Sequence, residues 1–336
     1  MKQALYMGQK NIKLQEASIP KCGDNDVLLK NIYAGICGTD VAVFNYGPNT
    51  GHRVNVGGEF GHEMVSEVVE VGKNITDISV GDRVYPYPLY VKDDTKRAGT
   101  VGGFSEYVLS INSKLNKSMY IVPDEISDIE ACLIEPFTVG TRASRRSMPK
   151  ENENAIVFGC GTIGLSSAIA LKYFGCKEVM MVDISDFRLN IAEKLGFKIC
   201  NPSKENIKEK AEKVFGTSYN IKGKAPNVDI FIDACGDDSI IPMYQEIGKI
   251  GSRLVVVAVN SGMKKVDVLS MTYSQHAIIG SGGYMPEDVY DVFEIMKSKK
   301  WNIESIVTDI FPWENLPNAI EKASDSNSAF NVMIKY

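Results

Sequence analysis

The rhythm of apolar and polar positions changes near residue 150. Up to about residue 120, short stretches alternate in character and are separated by Gly, Asp, Asn and Pro: DVLLKNIYAG, HEMVSEVVEVG, DRVYPYPLY and FSEYVLS. This spacing predicts the strands of a small, mostly antiparallel β domain. From about residue 154 the apolar runs become continuous, as in NAIVFG, EVMMVD, VDIFIDACG and RLVVVAV, and IGLSSAIALKYFG between the first two carries apolar residues at helical spacing. Such alternation predicts a parallel sheet with right-handed crossovers, an α/β doubly wound architecture. The Lys/Glu-rich stretch SKENIKEKAEKVFG reads as a solvated helix face. Beyond residue 284, PEDVYDVFEIMKSKKW predicts a helix and FNVMIKY a last strand that returns to the first domain. The expected division is therefore 1–136 with 285–336 against 137–284.

Length supports two domains, because 336 residues exceed what one core usually holds. The seventeen uncharged residues AIVFGCGTIGLSSAIAL, 155–171, are short for a bilayer span and suit a buried strand, turn and helix, so no membrane segment is expected. A formal charge of −5 with scattered Lys and Arg argues against nucleic acid as a partner. The N-terminal residues carry no apolar h-region, which points to the cytoplasm. Seven dispersed cysteines with no C-x-x-C indicate reduced thiols rather than a disulfide framework.

GCGTIG at 159–164 has the form G-x-G-x-x-G, follows the strand NAIVFG and opens a helix at Thr162 and Ile163. An acid, Asp183, ends the next strand nineteen residues beyond Gly164. In this context Gly159 permits the tight turn, Gly161 lets a pyrophosphate approach, and Gly164 lets the helix pack on the strand. The helix N-terminus offers N–H groups and partial positive charge to phosphate. Asp183 would accept from both ribose hydroxyls and repel a 2′-phosphate, favouring NAD over NADP. Arg188 is placed to stack on adenine or, alternatively, to tolerate the NADP phosphate.

Three further stretches supply metal-ligand chemistry. GICGTD holds Cys37, GHE holds His62 and Glu63, and ACLIEPFTVG holds Glu135. One thiolate, one imidazole and two carboxylates suit zinc with an open position, the pattern of catalytic rather than closed structural sites.

Taken together, GICGTD, GHE-x-x-S-x-x-x-x-x-G, GDRV, GGFSEY, EPFTVGTRASRR and GCGTIG resemble the medium-chain zinc-dependent dehydrogenases over essentially the whole chain. The branch most similar contains the sorbitol, butanediol and threonine dehydrogenases. The resemblance implies a GroES-like β-barrel catalytic domain beside a Rossmann NAD-binding domain, and a homodimer or homotetramer. It also implies that Cys37 and His62 bind zinc, with Glu63 and Glu135 the remaining candidates, one of them bound directly or through water. Thr39 would hydrogen-bond the substrate oxygen, and Asp40 would orient His62.

Three departures stand out. Ser66 replaces a usual glycine. The lobe YPYPLYVKDDTKRAGTV, 85–101, lacks the four cysteines of a structural zinc, which implies a single catalytic ion and a lobe held by Tyr and Pro packing. Ala42 stands where relatives carry a relay histidine, so the proton needs another route.

The activity implied is hydride transfer between NAD and a secondary alcohol, a polyol or vicinal diol, with a small alcohol or ketone as partner. Hydride leaves an alcohol readily only once its hydroxyl proton is gone, and zinc eases that loss. The rival readings are a zinc-free, NADP-dependent quinone or enone reductase of the same superfamily and a non-catalytic NAD-sensing protein. Arg142, Arg145 and Arg146 after EPFTVG are open between phosphate recognition and plain structural charge.

Overall fold

The computed structural model describes residues 1–51, 53–92, 98–260 and 262–336; His52 and part of the lobe, 93–97, lie outside the described residues. The contacts divide the chain into two units, Met1–Glu135 with Ile303–Tyr336, and Pro136–Asn302.

In the first unit the strand Val27–Gly35 is the hub. It pairs antiparallel with Glu63–Val71, Tyr107–Ser110 and the final strand Asn331–Lys335. Arg83–Pro86 and Met119–Ile121 extend the sheet on one side, and Val307–Pro312 adds a parallel edge on the other. Lys2–Gly8, Asn11–Glu16 and Gly58–Glu59 form a separate three-stranded sheet. Val27, Leu29 and Ala34 meet Met64, Val68, Val84 and Val108 in one core cluster, so burial of one sheet face holds the register.

The second unit is a six-stranded, wholly parallel sheet. Its order is Lys198–Cys200, Glu178–Val182, Asn154–Phe158, Ile230–Asp233, Arg253–Val256, Ala277–Gly280. The chain order 3-2-1-4-5-6 reverses direction after the central strand Asn154–Phe158, and ligands of such sheets bind at that switch. Both central strands are buried along their whole length, as expected of strands covered on two faces. The Lys/Glu-rich stretch becomes the helix Ile207–Phe215, which buries Ile207, Ala211 and Phe215 at spacings of one helical turn. Among the described residues no helix is long and apolar enough to cross a membrane.

The domain division needs one correction. Residues 285–302 belong to the second unit, not the first, and the opening boundary falls at Glu135/Pro136. The helix Pro286–Lys297 buries Val289, Val292 and Phe293, and its fully buried Asp288 accepts from Arg145 Nε at 2.7 Å. A buried carboxylate without that cation would carry a heavy desolvation cost, so the helix stays where Arg145 is.

Candidate functional site

The strand Val27–Gly35 ends at Gly35, and Cys37 follows as the N-cap of the helix Gly38–Tyr46. Gly35 stands opposite Glu63 in the sheet, and a Cβ there would lie 2.6 Å from Glu63 Oε2. Glycine at 35 therefore makes the space that the Glu63 carboxylate occupies. His62 follows Gly61, whose φ of +88° suits glycine and whose absent side chain lets the Phe104 ring approach. These constraints bring one ligand atom each of Cys37, His62 and Glu63 within 4.8 Å of one another. Asp40 Oδ2 accepts from the Cys37 N–H at 3.1 Å, while Oδ1 stands 3.7 Å from His62 Nδ1, in ion-pair range but longer than a hydrogen bond. Thr39 is half-buried on the same turn, with Gly51 against its main chain.

Charge in this cluster is one-sided. Burial first, then Glu63, Asp40 and Glu135, push the Cys37 thiol well above its ordinary value. Burial, Glu135 and Asp40 do the same to Glu63. Burial also raises Asp40 to about 8, with Glu135 adding to it. Glu63 Oε2 and Asp40 Oδ1 are buried without a hydrogen-bond partner. A divalent cation answers this arrangement, since it compensates buried negative charge and holds a thiolate ionised. The donor set and the orphaned Glu63 oxygen thus fit zinc. Glu135 is buried on the first turn of the helix Ile134–Arg146, near enough to affect all three groups but outside the compact trio. Sequence reading missed Gly35, and it missed Cys132, whose buried thiol lies 3.9 Å from the Glu63 carbonyl oxygen.

In the second unit the glycine motif folds into a tight turn. Gly159 has φ +93°, and a Cβ on Gly164 would sit 1.8 Å from Gly159 O, so this contact tolerates no side chain. Gly161 caps the helix Thr162–Tyr173, and at its Cβ position the nearest group is Arg188 Nη1 at 3.6 Å. The space over Gly161 could admit a pyrophosphate. Arg188 thus reaches toward the start of the helix. Asp183 is held by the main chain, accepting from Cys160 N at 2.7 Å and Ser185 N at 2.8 Å. It lines a cavity of about 670 Å³ with Gly159, Ile184, Cys235, Gly236 and Asp237.

The arginines after EPFTVG are committed within the second unit. Arg142 pairs with Glu287 and Asp288, Arg145 with Asp288 and Asp291, and Arg146 donates to Gly280 O. In the described part of the lobe, Tyr87 packs against Tyr90, Tyr120 and Tyr85 at centroid distances of 5.3, 6.1 and 6.5 Å, with Lys117 over Tyr90.

Known proteins are similar to this chain over most of its length. Residues 162–298 match the family described as zinc-binding dehydrogenase, and residues 23–120 match the alcohol dehydrogenase GroES-like domain. The chain is 30% identical over 334 residues to (R,R)-butanediol dehydrogenase of Bacillus subtilis (strain 168), covering 92% of this chain and 91% of the relative. It is 29% identical to sorbitol dehydrogenase of Bos taurus, over 98% and 94% of the two chains. The crystal structure of 2R,3R-butanediol dehydrogenase from Bacillus subtilis superposes with a TM-score of 0.86 at 26% identity, covering 100% of this chain and 99% of that one. The chain belongs to the medium-chain zinc-dependent dehydrogenase superfamily, with a GroES-like unit and a Rossmann-type unit, and is an oxidoreductase acting on CH–OH donors.

Proposed function

We propose that this oxidoreductase interconverts a secondary alcohol and its ketone with NAD, using one zinc ion per chain, and that its substrate is a polyol or vicinal diol. The observation that carries the reading is the approach of Cys37, His62 and Glu63 to within 4.8 Å. These three would hold the metal, with Glu135 as the neighbouring carboxylate that could bind it directly or through water. When bound, zinc supplies the Lewis acidity that makes an alcohol proton easier to remove.

The rest of the task falls to the chain. Thr39 Oγ1 accepts the hydrogen bond of the substrate hydroxyl, and Asp40 orients His62 from behind. Gly161 and the N-terminus of Thr162–Tyr173 receive the pyrophosphate, with Thr162, Ile163 and Gly164 forming its first turn. Asp183 receives the ribose hydroxyls, and its charge disfavours a 2′-phosphate. Arg188 lies beside Gly161, where a cation favours the phosphate end of the cofactor. With Ala42 in place of a relay imidazole, the proton leaves through water or a ribose hydroxyl. With no cysteine in the lobe, tyrosine packing in its described part would take the place of a second ion. The substrate class follows from the relatives, which are named butanediol and sorbitol dehydrogenases.

Metal analysis of the purified protein, run beside NAD reduction with 2,3-butanediol, sorbitol, xylitol and L-threonine, tests the proposal. About one zinc per chain and turnover of a diol or polyol are expected. Full activity in a metal-free sample would end it.

A further inference from the structure

Ser66 is wholly buried on the strand Glu63–Val71, and its Oγ donates a 2.6 Å hydrogen bond to Asn31 Oδ1. The two residues face one another in the register with Val27–Gly35. Asn31 is also buried, and its Nδ2 donates to Ser105 O at 2.7 Å and Gly103 O at 3.3 Å. The two carbonyl oxygens that take the Nδ2 hydrogens decide which way the amide points, which leaves Oδ1 turned to the Ser66 hydroxyl. With the amide reversed, its oxygen would face two carbonyl oxygens.

The Gly103 carbonyl accepts a further bond from the hydroxyl of Tyr336. Its own N–H donates to Gly61 O at 2.9 Å, and Phe104 N donates to Phe60 O at 3.1 Å. There is no slack between this turn and the residues before the metal ligand. A Cβ on Gly103 would lie 3.0 Å from Gly61 C and 3.1 Å from His62 N. The backbone that aims His62 is thus seated on a turn whose own seat is the Asn31 amide. The same turn is tied down elsewhere by Trp313 Nε1 to Phe104 O at 2.8 Å, so losing one bond should shift the turn rather than unfold it.

We propose that Ser66 is a positioning residue for His62, acting through Asn31 and the Gly103 turn, with Tyr336 as a second anchor on that turn. The proposal rests on reading His62 as a zinc ligand. Its leverage comes from the narrow tolerance of metal–ligand distances, about ±0.2 Å.

The test uses the purified holoenzyme and measures two quantities besides turnover. One is the zinc dissociation constant by chelator competition; the other is the visible spectrum after cobalt(II) replacement. Ser66→Ala is expected to weaken zinc binding about tenfold, the lower end of the effect of residues that orient metal ligands. It should also shift the cobalt bands, and Tyr336→Phe should move both readouts the same way by less. Zinc affinity within about twofold of the parent and an unchanged cobalt spectrum in Ser66→Ala would overturn the proposal, even if its Tm fell. Should Ser66→Ala fail to fold, Tyr336→Phe decides on the same readouts, and no change there overturns it. The two readings separate at Cys37→Ser. Metal retained by that variant sinks the zinc assignment and this proposal with it, whereas metal lost there but unaffected at Ser66 and Tyr336 sinks this proposal alone.

Discussion

Around Cys37 three acids, the half-buried thiol itself and the buried Asp40 and Glu63, lie together and favour their protonated forms. Around Gly161 the turn instead leaves open space at the start of a helix, and the nearby carboxylate of Asp183 accepts from two main-chain N–H groups. The first region is incomplete without a cation. The second is held by main-chain hydrogen bonds and close glycine packing. A metal site assembled from separate strands and turns depends on every contact that aims its ligands. A dinucleotide turn depends mostly on the absence of side chains at a few positions.

That contrast can be broken most severely at the ligands. Cys37→Ser and His62→Ala should each lose retained metal and more than about a hundredfold of turnover, a larger loss than changes to the supporting residues cause, while NAD affinity measured by fluorescence stays near the parent's. Metal content equal to the parent's in either variant would remove the site.

Next in size is Gly164→Ala. Its new Cβ would meet Gly159 O at 1.8 Å, and overpacking of this kind should cost about 3 kcal/mol in urea unfolding and weaken NAD binding. A stability indistinguishable from the parent's would mean that the turn is not tightly packed.

Asp183→Ala removes a charged acceptor and should raise the NAD dissociation constant roughly tenfold while narrowing the preference over NADP. Equal kinetics with the two cofactors in the parent would contradict the role given to Asp183.

The smallest effect concerns a second buried imidazole among the described residues, His276. Its Nε2 lies 3.0 Å from Gly248 O and its ring rests on Tyr244. Burial holds its pKa below the ordinary 6.5, so the neutral form is favoured in the fold. The unfolded chain then takes up the proton first as pH falls. The contribution of His276 is complete above 6.5 and is lost as pH drops below that value. Denaturant unfolding near neutral and near pH 5 should show this loss in the parent and less of it in His276→Gln. Identical pH slopes in the two proteins would refute it.

How much of this was legible in the sequence depends on how far apart the cooperating residues lie. The motif at 159–164 and Asp183 lie within one strand, turn, helix and strand, so their roles follow from local geometry. Cys37, His62 and Glu63 were visible as residue types, but their convergence depends on the pairing of Val27–Gly35 with Glu63–Val71. That Glu135 stays outside the trio could not be read from EPF. Neither could the commitment of Arg142 and Arg145 to the helix Pro286–Lys297, which moved the domain boundary. In the sequence Ser66 stands out only as a missing glycine, because its partner Asn31 is a neighbour across the sheet and not along the chain.

Periodicity and glycine spacing by themselves determined the two kinds of domain, the central strands and the dinucleotide turn, since each depends on backbone conformation within a short window. Tertiary structure alone decided which acids share one buried volume, which arginines are spent on an ion-pair network, and what holds the turn behind His62. Those outcomes depend on which strands lie side by side, and burial makes each charge and hydrogen bond answer to neighbours that are distant in the chain.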